Sequence, residues 1–231
     1  MISILTSLTW QLKAPIHKRE NINLSSVGYA WLQELSEMRG RVLFDGGRRP
    51  GFQLADGTFA DLDPLDTHAY HLLVRSSVSL VGCTRVAPLI NAPTCITESF
   101  LGCEEFTRLL LTLGSTRAET AEGSRWMVVP DYRGNRMGLS LVAGGIAICR
   151  CLGMKTVIVM AGTRDGQDRL LMHLGFHPVP GIALHNAPMF DDHIRLLYLD
   201  LSEKPKPLIT VLLDKMTNLI ECQFSDRLIS C

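Results

Sequence analysis

Glu122-Gly-Ser-Arg-Trp-Met-Val-Val-Pro-Asp-Tyr-Arg-Gly-Asn-Arg-Met-Gly138 is the stretch that decides the fold. Its first half alternates little and is apolar after Arg125, as expected of a buried strand over Glu122 to Val129. Its second half, Pro130 to Gly138, is a turn carrying Gly134, Arg133 and Arg136, and it opens onto an apolar helix expected from Asn135 to Leu152. A strand that turns through glycine into a helix start offers free backbone N–H groups and the positive end of a helix dipole, which together suit an anion. Glu122 and Arg125 place a carboxylate and a guanidinium beside it.

Further elements extend outward from this unit. Downstream, Thr156 to Ala161 is a short apolar run that predicts a fully buried strand, Asp165 to Leu174 a helix stopped by Gly175, and Ile194 to Leu201 a late strand. Beyond Ser202 to Lys206, Pro207 to Ile220 has amphipathic helical spacing. Upstream, Ser25 or Ser26 can cap a helix reaching about Met38, with Arg39 to Phe44 continuing from it. Asp45 to Asp66 reads as a loop, Ala69 to Val74 and Val78 to Val86 as a hairpin, Pro88 to Ser99 as irregular, and Leu101 to Leu113 as a helix. The order predicts an α/β (α+β) three-layer sandwich, with one mixed, mostly antiparallel sheet and helices on both faces. Residues 1–24 are expected to be an N-terminal extension, 25–203 the domain proper, and 204–231 a helical tail.

Composition narrows the function. The 231 residues are 46% hydrophobic and 20% charged, enough for a sizeable core, and 23 basic residues balance 23 acidic ones. Zero net charge argues against a broad nucleic-acid footprint. The seven cysteines lack metal-ligand spacing, so reduced thiols and no metal site are expected. Met1 to Trp10 is apolar but short and without a basic flank, so a cytoplasmic location without a transmembrane segment is expected. The histidines show no linked nucleophile and are expected to be satisfied or at the surface.

The turn and its flanks resemble the Gcn5-related N-acyltransferase (GNAT) superfamily. There Q/R-x-x-G-x-G/A, between a strand and a helix, binds the pyrophosphate of an acyl carrier's pantetheine. Arg133 holds the first position and Gly138 the last, while Arg136 stands in the place of the middle glycine; His173 to Phe176 is similar to a later motif. Four further segments, in order, resemble acyl-homoserine lactone synthases, the autoinducer-making branch tied to quorum sensing: Arg39-Gly-Arg41-Val-Leu, Asp63-Pro-Leu-Asp66, Gly82-Cys-Thr-Arg85-Val and Glu122-Gly-Ser124-Arg125-Trp126. The tryptophan of that pattern between the first two segments is missing. N-acyl amino acid synthases resemble the same scaffold.

The resemblance implies an acyltransferase that moves a fatty acyl group from acyl carrier protein or acyl-CoA to an amine, with S-adenosylmethionine as acceptor or an amino acid instead. A simple acetyltransferase and a non-catalytic acyl-binding module are further alternatives. No permanently bound cofactor is implied. An ammonium acceptor must lose a proton before it attacks, and Glu122 is the best-placed carboxylate to take it; a structural ion pair with Arg85 or Arg125 is its alternative. Arg125 can fork onto a substrate carboxylate, and Ser124 can act on the acyl carbonyl or bond the backbone. Arg85 is expected either at an exposed edge or paired with Asp63, Asp66 or Glu122. Asp63 and Asp66, with Asp61 close by, are a solvated turn or an ammonium site. Arg39 either caps its helix or, by the resemblance, joins Trp126 in binding the acceptor. The carrier would lie on Met127, Val128, Val129, Arg133, Gly134, Asn135, Arg136, Met137 and Gly138. Arg133, Arg136, Arg150, Lys155, Arg164 and Arg169 are either ordinary solvated charge or, with an acidic carrier protein as donor, its docking surface, and the Leu101–Leu113 helix and the Thr156–Ala161 strand either pack the core or line an acyl tunnel.

Overall fold

The computed structural model describes residues 8–16, 29–47, 49–188 and 191–229. The expected capping serines Ser25 and Ser26 lie outside these. An eight-stranded sheet has the order β1-β2-β3-β4-β5-β8-β6, with β7 also pairing β8. The strands are β1 (Thr9–Lys13), β2 (Tyr70–Arg75), β3 (Leu80–Pro88), β4 (Thr120–Val128), β5 (Thr156–Gly162), β6 (His177–Pro178), β7 (His185–Ala187) and β8 (Asp192–Asp200). Every neighbouring pair is antiparallel except β4 and β5, which run parallel. The helices are α1 (Ala30–Asp45), α2 (Ile96–Leu101), α3 (Cys103–Thr112), α4 (Met137–Cys151), α5 (Gln167–His173) and α6 (Pro207–Ile229). The mixed, mostly antiparallel sheet with helices on both faces is the architecture expected from the sequence.

Side-chain alternation along the strands sets the layers. On one face Leu73 and Cys83 meet Leu35 of α1, and Ile158 and Leu196 meet Phe106 and Leu109 of α3. On the other, Leu72, Val74, Val86, Val157 and Val159 meet α4, which α6 backs through Leu213, Met216 and Ile220. Helix α4 is buried nearly all round, as its composition requires.

Several elements depart from the sequence expectation. Thr9–Lys13, placed within an N-terminal extension, adds an edge strand to β2. Its outer edge is met from α6: Gln223 accepts from Leu12 N and donates to Trp10 O. Helix formation begins within the segment read as irregular, at Ile96, because Cys95 caps it. The expected helix Leu101–Leu113 is broken at Gly102, whose φ of 85° no helix accommodates. Strand β4 is buried only from Thr120 to Glu122 and half-exposed beyond, because its parallel neighbour leaves it.

Adjacent glycines in α4 play different parts. A Cβ at Gly144 would lie 2.2 Å from Leu72 Cδ2 and 3.1 Å from Met216 Cε, so glycine lets α4 sit between the sheet and α6. A Cβ at Gly145 would have no neighbour closer than 3.7 Å. Gly144→Val should overpack the interface and destabilise the protein by about 2 kcal/mol or more, seen as a thermal midpoint lowered by roughly 4–8 °C.

Candidate active site

β4 and β5 pair only from Thr120↔Thr156 to Gly123↔Val159. Past that point β4 continues to Val128 and β5 to Gly162 with no pairing between them, so the sheet opens into a wedge. The cause lies across β4: Cys83 pairs with Met127 and Arg85 with Ser124, so Arg125 and Trp126 together face Thr84. That is a β-bulge, with Arg125 at φ 53° and its carbonyl accepting from the Cys83 thiol at 3.2 Å. The extra residue bends β4 away from β5. Its β5-facing edge from Ser124 onward therefore has no strand partner, and Arg133 Nε takes one carbonyl there, Val128 O, at 3.0 Å.

The wedge is the mouth of a cleft of about 660 Å³. Arg133, Gly134 and Gly138 line one side of the mouth, and Trp126, Met127, Val128, Met160 and Ala161 its strands. Below, on the α4 face, lies an apolar chamber bounded by Val86, Val142, Gly145, Ile146, Val157, Val159, Leu171 and Phe176. The expected tunnel wall is thus half right: β5 lines the cavity, but α3 does not, its apolar face being spent on Ile158 and Leu196 of the opposite layer.

At the mouth, α4 begins without a side-chain cap. Its first N–H groups have no intrahelical partner. Arg136 sits at φ 57°, the left-handed conformation that favours glycine, at the position where the resembled pattern has glycine. Gly138 is needed for close approach: a Cβ would lie 3.3 Å from the Trp126 ring. Four of the expected carrier residues are not among the cleft lining: Arg136 at the start of α4 and three more. Val129 N bonds Val81 O of β3, Met137 is core against Gly82, and Asn135 is exposed away from the cleft lining. The expected basic cluster also divides. Arg133 and Arg136 sit at the start of α4, whereas Arg150 and Lys155 lie at and beyond its far end, roughly 20 Å away along a fifteen-residue helix. Lys155 is moreover paired with Glu119 and Arg164 with Asp191.

On the α1 face, three arginines and three aspartates interlock. Arg39, mid-helix and fully buried, pairs with Asp66 through NH1 (2.9 Å) and NH2 (2.5 Å) and with Asp61 through Nε (3.0 Å). Arg85, likewise fully buried, binds Asp66 at 2.7 Å and Asp63 at 2.9 Å and donates from Nε to Ser124 Oγ at 3.0 Å. Arg125 spans Asp61 (2.8 Å) and Asp63 (3.0 Å). The bulge makes this convergence possible, since Ser124 and Arg125 reach the same side although they are consecutive. Arg85 is therefore the paired arginine, and Arg39 is no helix cap. Asp63 and Asp66 are held by guanidinium groups, and Asp63 also caps the 3-10 turn Pro64–His68 through Leu65 N.

Glu122 faces a different neighbour. Its Oε2 accepts from Thr97 N and Oγ1, each at 2.7 Å, and Oε1 from Ile96 N at 3.3 Å, so it caps α2 rather than pairing with Arg85 or Arg125. It also lines the cleft at the base of the wedge, with Ser124 and Arg125. Thr97 was not legible as its partner from sequence, because the contact joins residues far apart in the chain.

Charge states follow from burial and pairing. Burial alone would raise the Asp66 carboxyl, but the hydrogen bond from Arg39 and the charges of Arg39 and Arg85 outweigh it and hold it well below the usual carboxylate range. Asp63 is also lowered; Arg85 and Arg125 overcome its burial. His71 is buried, which pushes its imidazole down to about 4 although Asp66 pulls the other way. Its Nε2 lies 2.9 Å from Asp66 O, a carbonyl that only accepts, so the neutral ring carries its proton there.

A folded value near 4 against an ordinary 6.5 means that unfolded His71 binds a proton first as the pH falls. Its contribution is complete above pH 6.5 and is lost on descending toward pH 4, by up to roughly 3 kcal/mol. Urea midpoints measured at pH 7.5 and 4.5 should differ accordingly, and His71→Asn should remove most of that slope while the Asp66 and Asp63 losses persist below pH 4.

Residues 47–143 match the family model of an acetyltransferase (GNAT) domain. No curated protein matches in sequence. Among solved structures, the CoA-dependent acyl-homoserine lactone synthase BjaI, crystallised with SAM and isopentyl-CoA, is similar with a TM-score of 0.64 at 17% identity, over 91% of this chain and 90% of that one. The CoA-dependent acyl-homoserine lactone synthase MesI gives 0.59 at 18%, over 91% and 95%. FeeM, an N-acyl amino acid synthase from uncultured soil microbes, gives 0.56 at 11%, over 85% and 93%. At these identities the likeness is one of fold. The bulged β4, the wedge beside β5 and the uncapped α4 thus sit in a GNAT-like fold, similar to that of acyl-homoserine lactone synthases and an N-acyl amino acid synthase.

Proposed function

We propose that this protein is an N-acyltransferase that moves a fatty acyl group from the pantetheine thioester of acyl-CoA or acyl carrier protein to an amine, in the manner of acyl-homoserine lactone synthases acting on S-adenosylmethionine. One observation carries the proposal: a single cleft joins an uncapped helix start, an open strand edge and an apolar chamber. The helix start and Arg133 suit the anionic end of a pantetheine carrier. The open β4 edge can hold the pantetheine arm as a strand would, and a free N–H near Met127 can polarise the thioester carbonyl. The chamber suits the hydrocarbon chain.

The reaction then needs an acceptor on the α1 side of the wedge, beside Arg125, Ser124 and Trp126. The amine nitrogen, freed of its proton through water to Glu122, attacks the carbonyl carbon. An amide C–N bond forms, the C–S bond breaks, and the thiolate leaves with a proton. Arg39, Asp61, Asp63, Asp66 and Arg85 hold that wall rigid, and Arg125, the most exposed of its three arginines, presents its remaining surface to an acceptor carboxylate. An amino acid as acceptor is the second reading, favoured by the absence of tryptophan between Arg39 and Asp63, where the aromatics are Phe44, Phe52 and Phe59.

Mass spectrometry of lipid extracts from an expressing culture tests the assignment: acyl-homoserine lactones are expected, N-acyl amino acids would select the second reading, and an active preparation yielding neither product would refute both. Glu122→Gln should lower turnover at least a hundredfold while donor binding persists. Turnover within threefold of the unaltered protein would remove Glu122 from the chemistry and leave it as the cap of α2.

A further inference from the structure

We propose that Gly145 fixes how long an acyl chain the cleft accepts; the assignment rests on the acyl-transfer function above and adds its specificity. Glycine is the poorest ordinary residue for a helix interior, so its presence mid-helix calls for a reason. Packing supplies one for Gly144, where a Cβ would collide with Leu72. Packing also explains Gly123, whose Cβ would stand 3.1 Å from Val159 Cγ1. It does not explain Gly145. A Cβ there would meet Val86 Cγ2 at 3.7 Å, Thr84 Oγ1 at 3.8 Å and Thr84 Cγ2 at 3.9 Å, all ordinary contact distances. Alanine would fit and would favour the helix.

What a side chain at 145 would occupy is the chamber. Gly145, Thr84 and Val86 all line it, and Gly145 is half-exposed in a stretch of α4 whose flanking residues, Gly144 and Ile146, are buried. The missing Cβ therefore leaves room between α4 and β3, beneath the wedge where the thioester carbonyl would sit. Of the other lining residues, Val142, Ile146, Val157, Val159, Leu171 and Phe176 are hydrocarbon or aromatic, and they bound the chamber on the α4 face, so a linear acyl chain is the chemistry that room admits. Position 145 is a specificity determinant and takes no part in bond making.

The test uses S-acyl pantetheines from butanoyl to hexadecanoyl, the arm common to both donor types, titrated calorimetrically against the full chain. In the unaltered protein affinity should climb about fourfold per methylene until the chamber is full. Gly145→Ala should keep or raise the thermal midpoint and end that climb at least one methylene sooner. Gly145→Leu should confine tight binding to the shortest chains; should it fail to fold, the alanine variant alone decides. An unchanged chain-length dependence in folded variants would overturn the role of Gly145. A flat dependence in the unaltered protein would instead overturn the acyl-transfer function itself.

Discussion

One residue too many in β4 governs this molecule. Arg125 and Trp126 share a single partner position on β3, and from that mismatch the rest follows. The strand bends, its pairing with β5 ends at Gly123, and a cleft opens where an unbroken sheet would have been solid. The same extra residue turns Ser124 and Arg125 to one side, where they complete a lattice of three arginines and three aspartates. A left-handed conformation at a non-glycine residue costs on the order of 1 kcal/mol, and here it is retained by the Cys83 thiol on one flank and two carboxylates on the other.

That lattice joins α1, the loop after it and β3 beside the apolar cluster of Leu35, Leu73, Leu80 and Cys83. Buried ions contribute little net stability when fully paired, but each becomes costly once a partner is removed. Balanced charge therefore acts as a geometric specification: Arg39 fits only if Asp61 and Asp66 are both present, and Arg85 only if Asp63, Asp66 and Ser124 are. The wall is stiff for that reason, and in the proposed reaction it would orient the acceptor beside a donor held at the start of α4.

Much of this was legible in the sequence, and the failures have physical causes. The strand–turn–helix from Glu122 to Gly138, the hairpin and the late β5–α5–β8 run carry strong local signals and were placed correctly within a few residues. Strand β1 was missed because five residues pairing at an edge leave no period distinguishable from an apolar terminus. The Gly102 break was missed because the apolar spacing continues across it. Arg39, Asp63, Asp66, Arg85 and Arg125 could be singled out as unusual, but their mutual pairing could not, since it joins residues up to 64 positions apart. Glu122 shows the limit most plainly: its neighbours in the chain suggested arginine partners, whereas its contacts are with Thr97 and Ile96.

Leu12 N donates to Gln223 Oε1 and Gln223 Nε2 donates to Trp10 O, so α6 meets the margin of the sheet at β1 across more than 200 residues of chain. During synthesis β1 can align on β2 once residue 75 has emerged, whereas the Gln223 contacts to Trp10 and Leu12 form only after α6 has been made. Until then the edge strand lacks those two hydrogen bonds, an interval in which a chaperone would have something to shield.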